Sequence, residues 1–92
     1  MDKLSIVELL ILSILVRNER ELYGLEMVRL SNGKLNRNTL YVMLSRMEDK
    51  KLIKGRTEKK QKDVRGHPRR FYRPLAKGFR LVDEYQTLFG WG

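Results

Sequence analysis

The chain has no cysteine, a single histidine and only two prolines, and each shortage removes a class of function. Without thiols there is neither a disulfide framework nor a thiolate metal site, and one imidazole cannot assemble a metal-binding cluster. His67 stands between Gly66 and Pro68 and reads as a loop residue with no catalytic or metal role. Long apolar runs are scarce as well. The richest stretch, Leu4 to Val16, is broken only by Ser5, Glu8 and Ser13, yet it falls short of the roughly 18 residues that span a bilayer. No small-residue cleavage site follows it, so neither a membrane span nor a signal peptide is expected, and the chain reads as intracellular. Catalytic groupings are missing too: there is no nucleophile beside a second histidine and no glycine loop to cradle a phosphate. The adjacent carboxylates Glu48-Asp49 and Asp83-Glu84 read as helix surface charge. These shortages predict a protein that is not an enzyme and carries no cofactor.

What the chain has in excess is positive charge, and its distribution is uneven. Residues 1–49 carry seven basic and seven acidic side chains, and residues 74–92 carry Lys77 and Arg80 against Asp83 and Glu84. Between residues 50 and 73 there are eleven basic residues against Glu58 and Asp63 alone, which accounts for the whole net charge of +9. A block of one sign projects a directed field suited to a polyanion, the alternative being a loop kept soluble by its charge.

At 92 residues the chain is long enough for one domain, 1–92, with a thin core, a size at which association between copies is a common remedy. The Leu4–Val16 stretch is apolar around most of a helix and calls for cover on two sides. One side is expected to meet the rest of the chain and the other a second subunit, with a central core helix as the alternative. Leu22, Leu25, Met27, Val28 and Leu30 recur at helical spacing over Glu21–Leu30 before the stop signal Ser31-Asn32-Gly33. Asn36 is suited to cap a third helix, in which Leu40, Met43, Leu44 and Met47 face inward while Asn38, Tyr41, Val42, Ser45, Arg46 and Asp49 face out. Leu52–Thr57 and Arg70–Arg73 are β-capable runs flanking a charged loop with Gly66 and Pro68, which predicts a two-stranded hairpin closed by Pro74. A last helix is expected from Leu75 to about Leu88. Three helices, a basic hairpin and a final helix predict a mainly α winged helix-turn-helix.

In that architecture the start of the third helix reaches base edges. Arg37 and Asn38 stand there, with side chains able to read guanine and adenine bidentately, the bland alternative being a generic phosphate contact and a surface residue. Thr39, Ser45 and Arg46 suit phosphates, and Tyr41 suits either a phosphate or packing against the wing. In the hairpin Lys59, Lys60, Lys62, Arg65, His67, Arg69 and Arg70 form the expected backbone-gripping wing, which supplies affinity more than sequence choice. The expected subunit interface combines Leu4, Val7, Leu10, Ile11 and Ile14 of the first helix with Phe79, Val82, Tyr85, Phe89 and Trp91 of the 75–89 helix and its end.

Several stretches together resemble the PadR-like transcriptional regulators. NTLYVMLSRMEDKKLI, from Asn38 to Ile53, is similar to that family's Thr-Leu-Tyr, Leu, Arg-hydrophobic-Glu, Leu-Ile pattern. GHPRRFYRPLAKG, from Gly66 to Gly78, resembles its Gly-x-Pro-Arg-(Arg/Lys)-aromatic-Tyr-Arg run leading into Lys-Gly, and Tyr23-Gly24-Leu25-Glu26-Met27 resembles its Gly-aromatic-Glu-Ile segment. The resemblance implies a homodimeric winged-helix repressor on a two-fold-related operator, dimerising through its first and last helices. By position it places Thr39, Tyr41 and Arg46 in the recognition helix and Arg69, Arg70 and Arg73 in the wing. In some members an apolar small molecule binds at the dimer interface, which Tyr85, Phe89 and Trp91 would line; as residues they read first as core and interface packing. The chain departs from the family pattern in four places. Arg37-Asn38 replaces the usual Pro-Gly, and Lys51 replaces the Gly that ends the recognition helix, which works against a left-handed cap there. Glu58–Arg65 is long and very basic, and the sequence stops at Gly92 without the larger C-terminal dimerisation or effector region of longer members.

The expected function is therefore sequence-specific binding of double-stranded DNA by a homodimer in the cytoplasm, at the nucleoid, as a transcriptional regulator. An architectural DNA-binding protein with little sequence preference and a module that docks an acidic protein partner are the competing readings.

Overall fold

Helix α1 (Ile6–Asn18) begins where the sequence offers both halves of a capping box. The Ser5 hydroxyl accepts from the Glu8 N–H at 3.1 Å, and the Glu8 carboxylate accepts from the Ser5 N–H at 3.0 Å. The helix ends at Glu19, whose left-handed φ of 52° turns the chain back. In the computed structural model, which describes residues 4–58 and 69–89, the chain then forms β1 (Leu22–Tyr23), α2 (Gly24–Leu30), α3 (Arg37–Asp49), β2 (Ile53–Thr57), β3 (Arg70–Pro74) and α4 (Ala76–Phe89).

The order confirms the mainly α winged-helix expectation and adds one strand to it. Glu21–Leu30, read as a single helix, is instead a strand followed by a helix. β1 lies antiparallel to β3, with Leu22 opposite Tyr72, and the sheet order is β1-β3-β2. A two-residue strand has no periodicity to read, and its ladder partner is supplied from far along the chain. The β2–β3 pairing places Ile53, Gly55 and Thr57 opposite Pro74, Tyr72 and Arg70 on the inner face, and Lys54 and Arg56 opposite Arg73 and Phe71 on the outer one. Alternation on a strand thus sends neighbouring residues to opposite faces.

α1 proves to be a central core helix. Ile11, Leu12 and Leu15 are inaccessible and pack with Leu22, Met27, Leu40, Leu44, Met47, Leu52 and Ile53 in one cluster. Of the residues expected at a subunit interface, Ile11, Ile14 and Val82 are buried by the chain's own core. What α1 leaves accessible is Ile6, which is exposed, and Val7 and Leu10, which are half-buried. The start of α4 lies so close to the turn before β2, and to α1, that glycine is required at position 78: a Cβ there would overlap the Leu52 carbonyl and press on Leu12. The Tyr85 hydroxyl accepts from the Leu4 N–H at 3.2 Å, tying α4 to the start of α1. Among the described residues no helix is long and apolar enough to cross a membrane.

Candidate nucleic-acid interface

The turn before α3 is built by one buried hydroxyl. Ser31 Oγ donates to the Val28 carbonyl at 2.7 Å and accepts from the Leu35 N–H at 3.0 Å, while Asn32 and Gly33 take positive φ. The chain is thereby delivered to Asn36, whose side chain accepts from the Asn38 N–H at 2.8 Å, the cap expected from the sequence. Leu40, Leu44 and Met47 go into the core. Arg37, Asn38, Thr39, Tyr41, Ser45 and Arg46 are all exposed. Among the described residues, none of these six side chains has a hydrogen-bond or ionic partner.

Tyr41 packs as well as pointing outward. Its ring lies against Gly24 at the start of α2, where a Cβ would collide with the phenol. A cleft of about 280 Å³ opens beside it, lined by Tyr23, Gly24, Arg29, Tyr41, Arg69 and Arg70. Arg29 was not anticipated from the sequence as part of this surface, since nothing local marks a helical arginine as belonging beside a distant strand.

α3 ends in a full left-handed cap despite lacking glycine. Lys51 adopts φ 64°, the Lys51 N–H donates to the Glu48 carbonyl at 3.0 Å, and the Leu52 N–H donates to the Met47 carbonyl at 3.0 Å. That is the pairing pattern of a Schellman turn. The buried contact of Leu52 with the core holds a residue that prefers other conformations in this one.

The basic hairpin divides into paired and unpaired cations. Arg56 grips Glu21 with Nε and Nη2 at 2.8–3.0 Å and covers the Phe71 ring at 5.2 Å. The Arg56 guanidinium holds the Glu21 carboxyl below its ordinary value. Arg70 is held by Glu48 and Thr57. Lys50 Nζ donates to Glu8 at 2.7 Å; burial pushes the Glu8 carboxyl up, but the Lys50 and Ser5 hydrogen bonds outweigh it and leave the group below its ordinary value. Burial also raises the Tyr72 hydroxyl. Arg69, one residue before Arg70, lines the same cleft but has a different partner: its guanidinium sits 4.7 Å over the Tyr23 ring, which meets Phe71 edge-on at 5.6 Å. Among the described residues Lys51, Lys54 and Arg69 have no carboxylate partner, while Arg73 adds a longer-range attraction to Glu21. The carboxylate partners of Lys50, Arg56 and Arg70 all come from residues 1–49. That withdrawal leaves the basic groups of α3 with fewer acidic neighbours than a count by segment suggests.

Of the expected wing residues, Lys59, Lys60, Lys62, Arg65 and His67 lie outside the described residues, as does Trp91. Of the expected interface residues, Leu4, Val7, Leu10 and Tyr85 are half-buried, and Phe79 is half-exposed; Phe79 lines an apolar cleft of about 400 Å³ with Leu15, Glu21, Arg73 and Pro74. Phe89 closes α4. Among the described residues no group of three or more His, Cys, Asp or Glu could hold a metal.

Known proteins match this chain in both sequence pattern and fold. The model of the transcriptional regulator PadR-like family matches residues 11–84. The structure is similar to that of a PadR family transcription regulator from Clostridium difficile, with 26% identity, a TM-score of 0.77, and coverage of 94% of this chain and 88% of that one. A PadR-like transcriptional regulator from Bacillus cereus is similar at 25% identity and a TM-score of 0.68, covering 92% of this chain and 82% of that one. Bacillus subtilis PadR in complex with operator DNA matches at 16% identity and a TM-score of 0.75; the match covers 88% of this chain and 47% of that one, a likeness of fold. No individually curated protein matches the chain. With four-fifths of its length under the family model, and with a helix-turn-helix, sheet and last helix in the family's order, this chain belongs to the PadR-like family of transcriptional regulators.

Proposed function

We propose that the chain binds double-stranded DNA as a homodimer and represses transcription by occupying a two-fold-related operator. The observation that carries this reading is the N-terminal face of α3, where Arg37, Asn38 and Thr39 are exposed and unpartnered on a helix whose other face is locked into the core. An arginine and an asparagine at the start of such a helix have the donor geometry to read G and A edges in a major groove. Ser45, Arg46 and Arg69, with Lys59, Lys60, Lys62, Arg65 and His67, supply contacts to the flanking phosphates. A PadR relative that holds operator DNA supports the same use of the shared fold. For the second subunit, Ile6, Val7 and Leu10 on α1 and Leu88 on α4 offer accessible apolar surface on the helices expected to dimerise.

Selection of the purified protein against a random pool of duplexes, at two salt concentrations, tests this directly. Enrichment of a palindrome that survives the higher salt is the expected result; retention without enrichment, lost steeply with salt, selects an architectural protein instead. On the enriched site Arg37→Ala or Asn38→Ala should cost roughly 1–3 kcal/mol more than on random DNA, whereas Lys60→Ala should weaken both alike and flatten the salt slope. Equal losses on both DNAs for all three variants would sink the assignment of the reading residues.

A further inference from the structure

Arg69 and Arg70 are adjacent, identical in chemistry, and were expected to do the same thing. Their partners separate them. Arg70 shares the inner face with Tyr72 and reaches the C-terminal half of α3: its Nε donates to Glu48 Oε1 at 3.3 Å, and its Nη2 donates to Oε1 at 3.1 Å and Oε2 at 3.0 Å. Its Nη1 donates to Thr57 Oγ1 at 3.1 Å on the neighbouring strand, and the guanidinium lies 5.7 Å from the Tyr72 ring centroid. All three of its nitrogens are therefore engaged within the chain, and one face of the guanidinium meets a ring. Gly55, opposite Tyr72, leaves the room: a Cβ there would overlap both the Glu48 carboxylate and the Arg70 guanidinium.

We infer that Arg70 is a positioning residue, forming with Glu48, Thr57 and Gly55 a lock that fixes the wing strand against the recognition helix, and that Arg69 alone of the two meets phosphate. This assignment rests on the DNA-binding reading above. The pair is half-exposed, with side-chain accessibilities of 41% for Arg70 and 29% for Glu48, so it adds little to stability. What it sets is geometry. The base-reading end of α3 and the backbone-gripping wing must meet one duplex together, and a fork of parallel bonds between helix and strand holds the angle between them. A phosphate could take the Nε–Nη2 fork of Arg70 only by displacing Glu48, which would leave a carboxylate beside the DNA; one Nη1 N–H is left over from the four bonds. Arg69 stacks on Tyr23 with its N–H groups free of carboxylates among the described residues.

The test is equilibrium binding of the full chain to a mixed-sequence duplex across a salt series, with the unfolding temperature of each variant measured alongside. Arg69→Met should weaken binding and reduce the slope of log K on log salt by about 0.9, one phosphate contact. Arg70→Lys keeps the charge but loses the fork, so it and Glu48→Gln should each weaken binding by roughly two- to fivefold, the scale of one such pair. Their slopes should stay at the wild-type value, and the double variant should be no weaker than the worse single. Gly55→Ala should behave like Glu48→Gln. An Arg70→Lys protein that binds as the wild type does, or a Glu48→Gln protein that binds tighter, would overturn the lock while leaving DNA binding intact. Failure of the wild type to bind any duplex at low salt would instead remove the DNA-binding reading, and the assignment with it.

Discussion

The two ends of α3 are built on opposite plans. At its N-terminal end Arg37, Asn38, Thr39 and Tyr41 are exposed, and among the described residues their side chains have no hydrogen-bond partner. At its C-terminal end every cue ties the helix down: Glu48 to Arg70 of the wing, Lys50 to Glu8 of α1, and Lys51 and Leu52 to the last turn's carbonyls. One helix is thus anchored at one end and open at the other. A polar side chain that already holds a partner must give it up before meeting a ligand, so vacancy is what a recognition surface needs and saturation is what its mounting needs.

The sharpest way to break the contrast is to remove what both ends share. Leu44 is inaccessible, and Leu44→Ala should destabilise the fold by about 2–5 kcal/mol; a denaturant titration showing less than about 1 kcal/mol would mean α3 is not seated as described. Next in size, Asn36→Ala removes the cap of the open N-terminal end and should cost about 1 kcal/mol, measurable by the same titration. Smaller still and opposite in sign, Lys51→Gly relieves the left-handed residue at φ 64° and should raise stability by about 0.5–1 kcal/mol; a loss would show that the Lys51 side chain matters more than its backbone.

The smallest effect at neutral pH concerns Lys50 and Glu8. The Glu8 carboxyl is depressed in the folded state, so the stability it contributes is complete above the ordinary Glu value and is lost as pH falls through the lower folded one. Thermal unfolding followed from pH 6 to pH 3 should therefore fall less steeply in Glu8→Gln than in the wild type. Equal slopes would mean that the pair does not hold the anchored end.

Much of this was legible along the chain because it is local. The α3 cap at Asn36, the inward Leu40, Leu44 and Met47, both wing strands and the extent of α4 follow from periodicities and stop signals a few residues wide. The left-handed Lys51 runs against local preference, and it forms because burying Leu52 and completing the Schellman bonds outweigh about 1–2 kcal/mol of strain in a non-glycine residue. β1 escaped notice because two residues carry no period, and only Tyr72 and Phe71 give them a ladder. Ile11 and Val82 looked like candidates for a subunit interface because an all-round apolar helix does not say which neighbour will cover it.

By itself the sequence determined the kind of protein: a basic chain without thiols, helices at set places, and the motifs of a transcriptional regulator family, all encoded in short-range pattern and composition. Tertiary structure alone decided which charges remain available. Glu8, Glu21 and Glu48 lie in a half of the chain that is neutral by count, yet folding carries them to Lys50, Arg56 and Arg70 and leaves Arg37, Arg46 and Arg69 without carboxylate partners among the described residues. A charge acts over distances in space and not along the chain, so neighbours such as Arg69 and Arg70 come to hold different partners, an aromatic ring and a carboxylate.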